Sequence, residues 1–524
     1  MKKSLAVSRR GFLTTAGAAG LVAASGIAMP YYSRANTRPV FTHGVQSGDV
    51  DMSSGMIWTR VDRPANVVFE IATTDRFDDA ITLPPLGALP EGDMAVKRLV
   101  TGLPSDQEIF YRLTATDLSD VNAVSEPIVG RFRTAPTSQR SITFAWSGDT
   151  AGQGWGIDET GMKTYATMLS HRPDFFIHSG DTVYADGPMV DEVDFDDGTQ
   201  WVNTVLIDEK RKVAETLEEF RAQWKYNMLD AHLRAFNAEV PTFAQWDDHE
   251  VVNNWSSAKD LSGDDRYTEK SVPLLIARAT RAFHEMMPIR FTPTDPARVY
   301  RKIAYGPHLD VFFLDLRSYR GPNGPSMETE LTPEARVLGA RQVAWLKREL
   351  TNSDATWKVI ASDMPIGLIV WDNWQEQAGA EAIANGDSGP AKGRELEVAD
   401  LLRFIKNAGI NNTVWLTADV HYTAAHYYDP SNAQFQDFTP FWEFVSGPIH
   451  AGTFGPNALD MTFGPEVKFV KAPAEGQGVN LPPTDGLQFF GLVDIDGPTG
   501  QLTVRLMDRD DNELYAVTLD PRRS

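Results

Sequence analysis

The sequence predicts an α/β domain built as a layered β-sandwich flanked by helices, preceded by an all-β sandwich domain. Three observations carry this. Residues 36–136 hold only short strand-like runs separated by Gly, Pro, Asp and Asn. From about residue 140 strand-like runs alternate with helical ones, the rhythm of an α/β domain. The chain then closes on three strand-like runs joined by tight turns. At 524 residues it is too long for one core, and the length suggests about two to four domains.

Residues 1–35 read as a targeting segment rather than fold. They have a basic start, an Ala- and Gly-rich apolar run and small residues before a cut after Ala35. The run is weaker than the ~20 strongly apolar residues of a membrane span. SRRGFL, Ser8 to Leu13, resembles a twin-arginine export signal. The expectation is therefore export in folded form by the twin-arginine translocation machinery, to the periplasm or beyond, with no stable membrane span after cleavage.

In residues 36–136 the strand-like runs are VFTHGVQSGDV, SGMIWTRV, NVVFEIAT and EIFYRLTAT. LPSDQEIFYRL has the form of a sandwich corner, a Pro-led turn before a Tyr-bearing strand, and the whole resembles a fibronectin-type or immunoglobulin-like domain. Residues 137–524 form the second domain. Its strand-like runs are SITFAWS, DFFIHS, PTFAQW, LDVFFLDL, WKVIAS, TVWLTA and WEFVSG. Helical spacing marks TGMKTYATMLSHR and segments 208–237, 272–287, 333–351 and 395–408. LQFFGLVDI, QLTVRLMD and ELYAVTLD are the closing antiparallel strands. Residues 452–486 are rich in Gly and Pro without periodicity, and a loop of that length is expected to lie partly over a functional site. The acidic stretch 191–197 reads as a solvated loop.

Charge and composition exclude several chemistries. Net charge is 49 − 71 = −22, which disfavours nucleic acid as a partner because phosphate backbones need Lys and Arg. There are no cysteines, so disulfides, zinc–thiolate sites, iron–sulfur clusters and thiol nucleophiles are ruled out. Any metal must be held by oxygen and imidazole ligands.

Four strand-like runs end in such ligands. Asp149 follows SITFAWSG, Asp181 follows DFFIHSG, Asp247 to Glu250 follow PTFAQW, and Asp419 and His421 follow TVWLTA. Ligands of open α/β sheets gather at the carboxyl ends of strands. One acidic strand end is ordinary helix capping; four, two of them with His, point to a site. Converging oxygen and imidazole donors without sulfur suit two hard or borderline ions. Such a pair holds both the entering and the leaving oxygen of a displacement at phosphorus, with a metal-activated water as nucleophile. His249 is then placed to stabilise the transition state or protonate the leaving alcohol.

The order Asp149, GD at 180–181, DDHE at 247–250 and DVH at 419–421 resembles the calcineurin-like metallophosphoesterase superfamily. QWDDHEVVNNW, with HSGDTVYADG, ADVHYT and FWEFVSGPIHAGTFGP, resembles the alkaline phosphatase D family, over almost all of the chain after the signal. The resemblance implies a metallophosphoesterase-like fold and a secreted enzyme acting on phosphate mono- and diesters. It implies Asp149, Asp181, Asp248, Asp419 and His421 as metal ligands, with Asp181 bridging. Tyr184 stands in a GDxxY spacing also found in purple acid phosphatases, where the phenolate binds ferric iron. The resemblance implies His249 as the catalytic histidine with Asn253 as a second catalytic residue, Asn254 of the same NN pair as a candidate to touch substrate, and Asp387 in NGDSGPAKGRE as a further carboxylate ligand. The implied cofactor is a dinuclear or multinuclear centre of Fe(III) with Ca(II). The chain departs from the pattern in two places: at Asp149, which is followed by TAG where DxH is usual in the wider superfamily and where some relatives have a Cys, and at Ala418, where Gly is usual.

Other residues carry weaker signals. His450, after a strand end, and Arg317, in LDLRSYR, are candidates to touch substrate; for Arg317 a structural ion pair is the competing reading. His178 is expected to hydrogen-bond near the ligands rather than ligate, Asp186 to cap a loop, and Trp371 and Trp374 to pack one. Two alternatives stand beside the phosphatase reading. One is a phospholipase D-like phosphodiesterase. The other is a module that binds envelope polymers and uses metal only structurally.

Overall fold

Alternating side chains along the strand Ile142–Ser147 set the layers: Phe144 and Trp146 point to one apolar core, Ala145 to another. The computed structural model describes residues 38–522; the expected export signal lies outside them. Among the described residues no helix is long and apolar enough to cross a membrane.

A nine-stranded and a seven-stranded sheet pack face to face. Between them lie Phe144, Trp146, Ile177 and Phe243 from the first sheet, and Val311, Phe313, Val359, Leu416 and Phe444 from the second. The opposite faces are covered by helices, so the central strands are buried on both sides and read as continuous apolar runs, whereas edge strands such as Glu513–Leu519 are not. Helices Lys163–Ser170, Leu217–Asn227, Ala231–Glu239 and Val272–Met286 cover the nine-stranded sheet. Helices Ala340–Thr351 and Glu395–Asn407 cover the seven-stranded one through Leu346, Leu350, Leu401 and Ile405. This is the expected layered, helix-flanked arrangement.

Two helical expectations are corrected. Segment 208–237 breaks into a 3-10 turn and two helices, because Thr216 forms a capping box with Glu219 and Asp230 caps the next start. Segment 333–351 becomes helical only at Ala340, after Gly339 at φ 78°. Residues 452–486 are not all loop, since Pro465–Lys471 pairs antiparallel with Thr423–Tyr428 as the edge of the seven-stranded sheet.

The N-terminal strands make two facing layers, as expected for a sandwich. Ala65–Ala72, Ile81–Ala88, Glu108–Asp117 and Ile128–Arg133 form a four-stranded sheet. Phe41–Gly48, Ser54–Val61 and Ala95–Thr101 form the other layer, and they also extend the nine-stranded sheet through a parallel bridge from Gly48 to Thr242. Val67, Phe69 and Tyr111 therefore share one core with Val45 and Ile57.

Parallel strands fix where chemistry can gather. Ile142–Ser147, Phe175–His178 and Thr242–Ala244 run parallel in one sheet. Leu309–Phe313, Trp357–Ala361, Thr413–Thr417 and Phe441–Val445 run parallel in the other. The carboxyl ends of both sets lead into Asp149, Asp181, Asp247, Arg317, Asp363, Asp419 and Gly447.

Candidate metal centre and active site

Just past these strand ends the backbone bends sharply. Asp149, Asp181, Asp419 and His421 all have left-handed φ, 67°, 49°, 66° and 60°. Asp and His tolerate this region better than most residues, but it still costs energy and persists where surroundings enforce it. Glu250 is one enforcing group: its buried carboxylate accepts from the backbone N–H of Asp181, Thr182 and Asp247. Close approach also demands glycine. A Cβ on Gly447 would lie 2.2 Å from Asp149 Oδ2, and one on Gly152 would lie 2.2 Å from the Tyr184 ring.

The result is a chain of three overlapping donor groups, with the ligand atoms of each within 4.8 Å of one another: Asp149, Asp181 and His421; Asp181, Asp248 and His249; Asp247, Asp248 and Asp419. Asp181 joins the first two groups and Asp248 the last two. Both oxygens of Asp149, Oδ2 of Asp247 and Oδ1 of Asp248 are buried without a hydrogen-bond partner. Burial, then repulsion from neighbouring aspartates, pushes the carboxyls of Asp149, Asp181 and Asp419 well above the usual carboxylate range. Orphaned, mutually repelling buried oxygens fit hard cations.

His421 is shaped as a ligand. Burial lowers its pKa to about 4, so the ring is neutral. Its Nδ1 donates to the Gly452 carbonyl, which leaves the Nε2 lone pair 3.7 Å from Asp149 Oδ1 and 2.9 Å from the Tyr184 hydroxyl. Tyr184 is buried, and burial with Asp181 and Asp149 beside it raises its pKa well above the ordinary value. Its ionisation would require a cation alongside.

His249 has a different environment. Its Nδ1 donates to Asp186 Oδ1 at 2.6 Å, its ring lies against Tyr184 at 4.4 Å between centroids, and Nε2 is 4.0 Å from Asp248 Oδ1. Burial opposes the charged ring, but Asp186 and Asp248 outweigh it and push the pKa up to about 9. Asp186 also accepts from the Asn253 backbone N–H at 2.8 Å, so it caps the loop as expected and in addition holds His249, a role the sequence did not reveal.

The remaining expectations divide. Asn254 donates its backbone N–H to Asp248 Oδ2 at 2.6 Å, whereas Asn253 is exposed and bonds through its backbone. His178 bonds Thr150 Oγ1 at 2.9 Å, beside the ligands rather than among them. Three candidates are corrected. Asp387 is exposed, caps Gly389 N–H and pairs with Lys392 at 2.6 Å; it belongs to none of the three groups. The His450 ring bonds the Gly156 carbonyl at 2.7 Å, and its backbone pairs with the Asp149 loop, so its ring nitrogen is engaged in bracing the site. Arg317 is fully buried, 2.5 Å from Asp247 and paired with Glu381, so the competing ion-pair reading describes it, with Nη2 alone lacking a hydrogen-bond partner. Asp363 and Glu381 are buried residues missed in the sequence. Asp363 follows the strand WKVIA as Asp181 follows FFIH; that repeated pattern was its only signal. Segment 452–486 does reach the site, where Phe454 stacks edge-on with His421 at 5.3 Å.

Comparison with known proteins agrees with this geometry. A family described as PhoD-like phosphatase matches residues 144–506, and its N-terminal domain matches residues 25–136. Alkaline phosphatase D of Bacillus subtilis (strain 168) is 29% identical over 408 residues, covering 73% of this chain. The match spans 64% of that relative's length. A solved structure of PhoD has a TM-score of 0.67 at 22% identity, over 94% of this chain and 90% of that one. Purple acid phosphatase PPD1 from yellow lupin (Lupinus luteus) seeds has a TM-score of 0.55 at 12% identity, over 92% and 74% of the two chains. These two structures share the fold. Since the family match takes in the whole donor cluster from Asp149 to His421, the chain belongs to the PhoD-like phosphatase family.

Proposed function

We propose that this protein is a metal-dependent phosphoesterase that hydrolyses phosphate mono- and diesters. The observation that carries the reading is the set of three overlapping donor groups with orphaned oxygens beside a histidine held by Asp186. Asp149, Asp181, Asp248, Asp419 and His421 would hold the ions, with Tyr184 as a further ligand, and Asp247 adds to the third group. We assign the ions as ferric iron with calcium. Bound there, they would polarise the phosphoryl oxygens and acidify a water so that attack at phosphorus runs at moderate pH.

The chain's own part is positional and protonic. Asp186 keeps a proton on His249 Nδ1, and the raised pKa keeps Nε2 protonated as well. Nε2 can then donate to the leaving alcohol. Replacing Asp186 with Asn removes a negative charge from His249 and lowers its pKa. Turnover is expected to fall about 10–100-fold, and the alkaline limb of the pH–rate profile to move to lower pH. An unshifted limb would separate Asp186 from the proton transfer.

The deciding experiment is metal analysis of protein purified from its export route, paired with a panel of mono- and diesters. More than one equivalent of metal is expected, with activity lost on chelation and restored by added ions. Full turnover in metal-free protein sinks the reading. A visible absorption band is expected from phenolate-to-iron charge transfer, and Tyr184→Phe is expected to abolish it. A surviving band would assign the chromophore to another ligand. We further propose that the protein is exported by the twin-arginine pathway and works outside the cytoplasm.

A further inference from the structure

A short hairpin lies beside the donor cluster, and only its far side, Glu381, is accounted for by the Arg317 ion pairs. Its strands are Trp371–Asn373 and Ala378–Ala380. Two separate ties place it. On one side Asn254, whose N–H holds Asp248, donates its side-chain amide to the Asp372 carbonyl at 3.2 Å, and Asn323 bridges the Asn254 carbonyl and the Asp372 carboxylate. On the other side Ile369, just before the hairpin, exchanges hydrogen bonds with Ala458 and Asn457. That loop begins with Phe454 against the His421 ring. The hairpin base thus spans from the Asp248 end of the cluster to the His421 end.

The hairpin tip carries Trp374, 66% exposed, while every other tryptophan of the chain is buried or half-buried. A lone exposed apolar residue is common on protein surfaces. The position is what matters here. Trp371 does the packing expected of the pair, lying so close over Gly386 that a Cβ there would be 2.7 Å from its ring. Trp374 is left with its ring in solvent, two residues from the Asp372 carbonyl that Asn254 holds.

We propose that Trp374 and its hairpin form a subsite for a planar apolar substituent of the ester, so that aryl esters are preferred over small alkyl ones. This rests on the phosphoesterase reading above. Stacking on one aromatic face changes affinity by about tenfold. Trp374→Ala is therefore expected to raise KM for phenyl phosphate about tenfold, with kcat and the kinetics of methyl phosphate unchanged; Trp374→Phe is expected to retain most of the preference. Calorimetry on the metal-loaded protein gives a second readout: phenylphosphonate should bind about tenfold more tightly than methylphosphonate, and Trp374→Ala should erase the difference. Equal losses on both esters, or a phenyl preference intact in Trp374→Ala, overturn the subsite. Wild-type protein that hydrolyses neither ester instead overturns the phosphoesterase reading. The phosphonate comparison still judges the subsite in that case, and absence of any phosphonate binding overturns it too.

Discussion

Asp181→Asn is expected to lower kcat/KM on the order of 10³-fold and to strip most of the bound metal. The size follows from how many tasks one carboxylate performs. Asp181 lies in two of the three donor groups, so neutralising it removes negative charge facing two cation positions. Its Oδ1 also accepts from the His249 backbone N–H at 3.1 Å, which ties the histidine to the same anchor. Losing an outer hydrogen-bond partner of a metal ligand costs about 10–100-fold, and losing a proton-transfer group about 10²–10⁴-fold. A residue that supports both belongs within the upper range.

Stability gives the same substitution a second signature, of opposite sign. Burial and repulsion from Asp248 and Asp247 push the Asp181 carboxyl well above the usual range. Above the unfolded-state pKa, then, the charge works against the metal-free fold, and a neutral amide of the same shape relieves it. Metal-free Asp181→Asn should therefore melt no lower than metal-free wild type. The stabilisation that bound metal gives, which grows with ion concentration over Kd, should shrink. Thermal melts with and without added ions, run beside metal analysis, read both effects. A variant with full metal content and full turnover would remove Asp181 from the centre.

The strand ends explain why much of the site could be read before the fold was known. Asp149, Asp181, Asp248 and Asp419 each follow a short apolar run, and a parallel strand buried on both faces must end somewhere that permits polar side chains. Asp363 obeys the same rule, yet it stands alone after WKVIAS, with no histidine or second acid to mark it. Glu381 could not be found this way. It reaches Arg317 from a hairpin 64 positions along the chain, and no local spacing encodes that meeting. Asp387 misled for the converse reason: NGDSG looks like a ligand loop, but Asp387 is used up by its own turn and by Lys392. The same limit governs the fold. Strand character from Phe41 to Arg133 was legible in composition, whereas the bridge from Gly48 to Thr242, which carries the sandwich onto the large sheet, is a contact between distant backbones.

Arg317 is where an ion pair and a substrate contact make opposite predictions. Its guanidinium has no exposed surface and faces Asp247 at 2.5 Å, Asp248 and Asp363 at 3.8 Å, and Glu381. Burial alone would lower its pKa, but Asp247 and Glu381 outweigh that and hold it well above the ordinary value. Arg317→Met keeps the bulk and deletes the charge, leaving Asp247 and Glu381 as buried anions short of a partner. Removing one member of a buried ion pair costs about 3–5 kcal/mol. Arg320, at 3.0 Å from Glu381, shields only one of the two acids. A clear fall in melting midpoint is expected, and added phosphate should not change its size. A substrate-binding arginine would behave otherwise: the melt would hold and KM would rise. Arg317→Lys is expected to recover little, because one ammonium cannot reach Asp247 and Glu381 together as the planar fork does. If Arg317→Met instead melts like wild type and loses only substrate affinity, the guanidinium must face the phosphate, and the ion-pair assignment falls.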